Sequence, residues 1–145
     1  MIQEEVHIYT DGACIGNPGP GGWAALLRYA DNEKAVSGAE KDSTNNRMEL
    51  TAAIEGLKLL NRKCKVLIVT DSKYVMDGMT SWIHNWKKNN WLTSSKKPVS
   101  NADLWKKLSH ETAKHDVRWE WVKGHSGHPE NELVDKLAKD AITKL

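Results

Sequence analysis

Cysteine is nearly missing from this 145-residue chain. Cys14 and Cys64 are the only two, fifty positions apart. That spacing offers neither a disulfide framework nor a CxxC metal knuckle, and a reducing, cytoplasmic setting is expected. Long apolar runs are also missing: none approaches the roughly 20 residues that a membrane span needs. The first residues, MIQEEVHIYT, carry two acids and no basic segment ahead of an apolar block, so no signal peptide is expected. A third absence is local. From Gly78 to Ala102 there is no Asp or Glu, while Lys87, Lys88, Lys96 and Lys97 all fall inside. On a chain of formal net charge +2, that predicts one basic face on a near-neutral body.

The remaining composition, 39% hydrophobic and 28% charged, is that of a globular protein, and the length suits one domain over 1–145. VHIYT alternates as a strand, WAALLRYA and KAVSGAEK follow as two more, and short turns between them suggest an antiparallel meander. TNNRMELTAAIEGLKLLN has helical spacing, with Thr44 or an adjacent Asn as its cap. The continuous apolar run in KVLIVTD predicts a strand buried on both faces. SKYVMDGMT reads as helix, Asn101 or Ser100 opens another through Lys114, DVRWEWVK is a strand, and Glu130 to Leu145 is an amphipathic helix. The predicted order is βββαβααβα: an α/β (mixed α+β) fold with one five-stranded mixed sheet and helices packed on both faces.

DGACIGNPGPGG, residues 11–22, packs five glycines and two prolines behind the first strand. Gly16 and Gly21 fit GxxxxG, but Gly22-Trp23 stands where a phosphate loop needs Lys and Ser or Thr. Gly19, Gly21 and Ala24 fit GxGxxA, but WAALLRY follows as strand where that motif opens a helix. Pro18 and Pro20 lack the N–H donors an anion cradle uses. The stretch is therefore expected to be a long hairpin connection. His125 and His128 are too sparse a pair for a zinc site.

Among nineteen acids, four have unusual neighbours. Asp11 and Asp71 each end a strand. Glu49 lies between Met48 and Leu50 in an apolar helix, with Ala52, Ala53 and Gly56 nearby, and Asp135 adjoins the stripe Leu133, Leu137, Ala138 and Ala141. Singly, each has an ordinary explanation: a solvated helix charge for Glu49 and Asp135, an N-cap for Asp71, an Asx-turn for Asp11. Together, two strand-end aspartates invite a shared site if their strands are adjacent, since ligands bind at strand ends of such sheets. Carboxylates gathered there repel one another unless a hard cation such as Mg²⁺ or Mn²⁺ neutralises them.

IYTDGACIGNPGPGGWA, TNNRMELTAAI, TDSKYV, WIHNWKKNNW and WEWVKGHSGHPENELVDKLA, taken in this order, resemble type 1 ribonuclease H of the bacterial kind from about residue 5 to 143. The resemblance implies an endoribonuclease cutting the RNA strand of an RNA–DNA hybrid duplex, with two Mg²⁺ ions, replaceable by Mn²⁺, and 3′-hydroxyl and 5′-phosphate products. It implies Asp11, Glu49, Asp71 and Asp135 as metal-binding catalytic carboxylates and His125 as a loop histidine assisting proton transfer or product release. It further implies substrate contacts at Gly12, Cys14, Asn17, Asn45 and Asn46, a phosphate pocket at Thr44 and Asn101, and a basic protrusion carrying Trp82, Trp86, Lys87, Lys88, Trp91, Lys96 and Lys97. The i, i+4 spacing of Trp82 and Trp86 also suits packing that helix onto the body, and some of each is expected, with four lysines and no acid favouring contact with a polyanion.

Two positions depart from the family pattern. Lys73 stands where some relatives have a base-contacting glutamine, which points to a phosphate contact instead. Asp42 stands where some carry an arginine beside the phosphate pocket, which is expected to weaken hybrid binding without abolishing cleavage. The expected role is primer and R-loop removal by a monomer without a separate hybrid-binding domain, and cleavage is expected to be weakly processive. The competing readings are a non-catalytic hybrid-binding module, and a related metal-cage nuclease acting on duplex DNA.

Overall fold

The computed structural model describes residues 5–124 and 127–145. Its elements are β1 (Val6–Cys14), β2 (Gly19–Tyr29), β3 (Asn32–Ser43), α1 (Asn45–Lys58), β4 (Lys65–Thr70), α2 (Lys73–Asp77), a π-helical turn (Gly78–Trp82), α3 (Ile83–Lys88), α4 (Ala102–Thr112), β5 (Asp116–Trp121) and α5 (Pro129–Thr143). The segment from α2 through the π turn to α3 is continuous, so the basic WIHNWKK stretch extends the helix predicted ahead of it. Counted as one element, it gives the expected order. The sheet runs β3-β2-β1-β4-β5, antiparallel among β1, β2 and β3 and parallel from β1 through β4 to β5.

The apolar run of β4 is explained by its place between β1 and β5. On one face, Val66 and Ile68 join Val6 and Ile8 beneath α1 and α4, which contribute Leu50, Ala53, Leu57, Trp105 and Leu108. On the other, Val69 meets Tyr9, Ala24 and Leu26 under Val134 and Ala138 of α5. Helices therefore cover both faces, as expected. Trp105 is fully buried, with the rings of Tyr74 and Trp86 each 5.1 Å away and Trp82 and Trp91 reached through them. Aromatic pairs at such separations are worth about 0.5–1.5 kcal/mol each beyond their burial, so this cluster fastens α3 to the body.

Helix starts follow local chemistry. Thr44 Oγ1 accepts from Arg47 N at 3.2 Å and Ser72 Oγ from Val75 N at 3.2 Å. His128 Nδ1 accepts from Asn131 N at 3.1 Å. Ser72, not Asp71, caps α2, so capping does not account for Asp71.

The glycine-rich stretch corrects the sequence expectation. Only residues 15–18 connect two strands; β1 continues to Cys14 and β2 begins at Gly19. A β-carbon on Gly12 would overlap Glu49 N and lie 2.6 Å from the Met48 carbonyl carbon. One on Gly22 would overlap the Ala138 carbonyl oxygen and lie 2.8 Å from Ile142 Cγ1. Glycine thins the sheet here so that α1 presses on one face and α5 on the other. Sequence reasoning read turns because glycine serves turns and close approaches alike.

Gly22→Ala is expected to destabilise the protein by roughly 1–3 kcal/mol, because the backbone of α5 cannot yield as a flexible side chain would. Urea denaturation checks this; an unchanged midpoint would show that α5 is not held by that contact.

Candidate active site

Parallel pairing of Thr10 with Thr70 sets β1 and β4 level, so Asp11 and Asp71, each the next residue, emerge side by side. Glu49 reaches them from the first turns of α1 across the gap left by Gly12. The Gly12 N–H donates to Glu49 Oε1 at 2.5 Å and lies 2.9 Å from Asp11 Oδ1. Asp11 and Glu49 are both only 3% exposed. One carboxylate oxygen from each of Asp11, Glu49 and Asp71 falls within 4.8 Å of the others. Asp135 approaches from α5 on the opposite side and lines the same open cleft, of about 400 Å³, but stands outside that tight group of three. Lys139, one turn further along α5, pairs with Asp135 at 3.0 Å.

Crowding sets the electrostatics. Burial, with the nearby charges of Asp71 and Asp135, pushes Asp11 up to about 7. Burial, then the hydrogen bond to and repulsion from Asp11, hold Glu49 well above the usual carboxylate range, although the Gly12 N–H opposes this. Glu49 Oε2 is buried and has no hydrogen-bond partner among the described residues. An unpartnered buried oxygen costs on the order of 1–3 kcal/mol. A hard cation answers both problems: the donors are all oxygen, and positive charge removes the repulsion.

The remaining expected residues divide into groups. Cys14 is half-buried, with its thiol 3.5 Å from the carbonyls of Gly19 and Ser43. Asn17 Oδ1 accepts from Asn45 N at 2.9 Å, joining the β1–β2 connection to the start of α1. Asn45 and Asn46 are exposed there, and Asn45 borders the cleft. Lys73 Nζ lies 4.8 Å from the centre of the Trp121 ring, whose Nε1 donates to the Asp71 carbonyl at 3.1 Å. Lys87, Lys88, Lys96 and Lys97 are all exposed, with the first two in α3. Trp86 and Trp91 pack against the core, whereas Trp82 is 41% exposed, so the protrusion's indoles both pack and face outward. Asp42 is exposed near the end of β3, two residues before Thr44. His125 lies outside the described residues.

Sequence reasoning missed Arg47, Tyr74, Lys139 and Trp121. Lys139 was readable from its i, i+4 spacing to Asp135. Tyr74 and Arg47 act across elements more than 25 residues apart, where no local spacing signals contact.

A family model described as RNase H matches residues 3–143. The chain is 63% identical over 142 residues to a protein named Ribonuclease H from Hydrogenovibrio crunogenus, covering 98% of both chains. It is 63% identical over 140 residues to Ribonuclease H from Zymomonas mobilis, covering 97% of this chain and 90% of that one. Its fold superposes with a TM-score of 0.89 on the crystal structure of LC9-RNase H1, a type 1 RNase H with the type 2 active-site motif. That protein is 34% identical, and the match covers 99% of this chain and 74% of that one. Carboxylates gathered at the ends of β1 and β4 and a match across nearly the whole length lead to one conclusion: the chain belongs to the RNase H family.

Proposed function

We propose that this protein is a single-domain, monomeric, cytoplasmic endoribonuclease that hydrolyses the RNA strand of RNA–DNA hybrids, leaving 3′-hydroxyl and 5′-phosphate ends. Its cellular substrates are then RNA primers and R-loops. The observation that carries the reading is the convergence of Asp11, Glu49 and Asp71 within 4.8 Å in an open cleft. Asp135 faces them, and an exposed lysine-rich segment lies elsewhere on the surface.

Asp11, Glu49, Asp71 and Asp135 would hold two Mg²⁺ ions, or Mn²⁺ in their place. Such cations lower the pKa of water and neutralise charge on phosphoryl and leaving oxygens. The chain's own residues supply the rest. The buried Asp11 and Glu49 are fixed by the Gly12 N–H and need no rearrangement to present oxygens. Asn17, Asn45 and Asn46 offer polar groups beside the cleft, suited to a ribose 2′-hydroxyl, which distinguishes RNA from DNA. Lys73, set over Trp121 next to Asp71, offers a cation to a neighbouring phosphate. Lys87, Lys88, Lys96 and Lys97 supply sequence-independent attraction to the duplex. His125 is assigned proton transfer or product release.

The first test is cleavage of a labelled hybrid with Mg²⁺. Asp71→Asn is expected to lose activity by on the order of 10³-fold while still binding hybrid. Equal rates would refute the carboxylate assignment, binding without cleavage by wild type would mark a recognition module, and cutting of duplex DNA would mark a different nuclease.

Replacing all four protrusion lysines by alanine should weaken hybrid binding and lower the slope of log K against log salt by about 3. An unchanged slope would place the duplex elsewhere.

Stability should report the carboxylate crowding directly. The folded protein holds Asp11 up to about 7 and Glu49 well above 4.5, against ordinary values of 3.8 and 4.5. Through that window the folded state binds more protons than the unfolded chain, so these two groups make stability fall as pH rises. In EDTA, the thermal midpoint of Asp11→Asn should exceed that of wild type by a margin that widens from pH 5 to pH 8. Added Mg²⁺ should raise the wild-type midpoint more at pH 8 than at pH 5. A margin independent of pH would contradict the electrostatic account.

A further inference from the structure

Trp121 is the last residue of β5 and shares a face of that strand with Val117 and Trp119, which pack against the main core. Trp121 lies past the edge of that core and stays 38% exposed. Strand register explains where it stands. β5 runs parallel to β4 with Trp121 opposite Thr70, so the indole is level with the corner where β4 ends and α2 begins. Its Nε1 donates to the Asp71 carbonyl inside that corner. The face of the same ring carries the Lys73 ammonium, 4.8 Å from the ring centre.

Helix formation does not account for Lys73. As the first residue of α2 it opposes the helix dipole, which favours anions at that end. Asp77, one turn along, is the usual partner for a helical lysine, and Asp71 lies two residues back. Among the described residues the ammonium pairs with neither carboxylate and lies over the ring instead. A cation within about 6 Å of an indole face is attracted by the ring's quadrupole. That attraction differs in kind from an ion pair. A carboxylate would cancel the lysine's charge, whereas the ring carries no net charge and accepts none of the three N–H donors as an oxygen would. Lys73 is thereby held in place, exposed, with its positive charge and its donors still on offer.

We propose that Trp121 is a positioning residue for substrate: its ring holds the Lys73 ammonium beside Asp71, where that charge meets a backbone phosphate of the bound hybrid. A lysine side chain has much rotamer freedom, and confining it before association removes an ordering cost from binding. The indole N–H ties the same ring to the Asp71 carbonyl, so one rigid group sets the ammonium's place relative to the strand end that bears the carboxylate. Trp121 acts through Lys73 and itself meets no phosphate. The proposal deepens the hybrid-hydrolase reading and rests on it.

Hybrid binding in EDTA, measured against salt, and side-chain NMR together test the idea. Lys73→Gln is expected to lower the slope of log K against log salt by about 1, the mark of one lost phosphate contact. Trp121→Leu removes the ring and leaves the lysine; it should weaken binding about threefold at low salt, the worth of one exposed cation–π contact. Added to Lys73→Gln, Trp121→Leu should weaken binding no further. Trp121→Phe, which keeps a ring face and loses the indole N–H, should recover most of the affinity that Trp121→Leu loses. Without hybrid, the side-chain methylene protons of Lys73 should resonate upfield in wild type, shifted by the ring, and return to ordinary positions in Trp121→Leu. Equal weakening by Trp121→Leu with and without Lys73, no recovery in Trp121→Phe, an unchanged slope in Lys73→Gln, or unshifted Lys73 methylenes would each overturn the proposal. If the methylenes are shifted but wild type neither binds nor cleaves hybrid, the ring–lysine contact stands, the hybrid-hydrolase reading fails, and the substrate role of Trp121 falls with it.

Discussion

The structure turns on placing a buried glutamate against a buried aspartate. Glu49 and Asp11 are each almost inaccessible to water, and burial together with the neighbouring carboxylates raises the proton affinity of both. Folding brings them together only because Gly12 lets α1 touch the backbone of β1. Any side chain at Gly12 would drive the helix off the strand and carry Glu49 away from Asp11. Apolar burial of Leu50, Ala53 and Leu57 on the same helix supplies the opposing free energy, since these side chains pack into the main core. The site is thus a locally unfavourable arrangement enforced by a globally favourable one, of a kind that a cation would relieve.

The opposite face obeys the same constraint. Gly22 admits α5 as Gly12 admits α1, and the two helices deliver carboxylates to one cleft from different sides of the sheet. Asp135 stays outside the tight group of three and is balanced by Lys139. Its charge is therefore compensated within α5, whereas those of Asp11 and Glu49 are not. The basic segment is separately mounted on Trp105 and its ring neighbours, so the lysines stand on a packed aromatic base while their side chains remain in water.

Much of this was legible from residue order. The alternation in VHIYT, the unbroken apolar run in KVLIVT and the helical spacing around Glu49 predicted elements that the structure contains, and their order was right. Boundaries were less legible: β1 and β2 extend through the glycine-rich stretch, and the basic segment continues a helix through a π turn. Glycine offers no side chain to betray strand pairing, and a π turn has no residue signature of its own. Of the candidate site, the four carboxylates and the lysines could be named in advance. The links Asn101–Tyr74, Arg47–Asp103 and Lys73–Trp121 could not, because each joins side chains from different elements.

The sequence by itself determined which stretches are strand or helix, which acids stand among apolar neighbours, and where positive charge accumulates. Those properties depend on periodicity and composition within a few turns of chain, where the physics is local. Only the tertiary structure decided that Asp11 lies beside Asp71, that the glycines are contact points for two helices, and that Asn101 meets Arg47 and Tyr74. Those properties depend on strand register and on interatomic distances between segments tens of residues apart. Such distances are set by how the core packs as a whole, and no local stretch of sequence contains them.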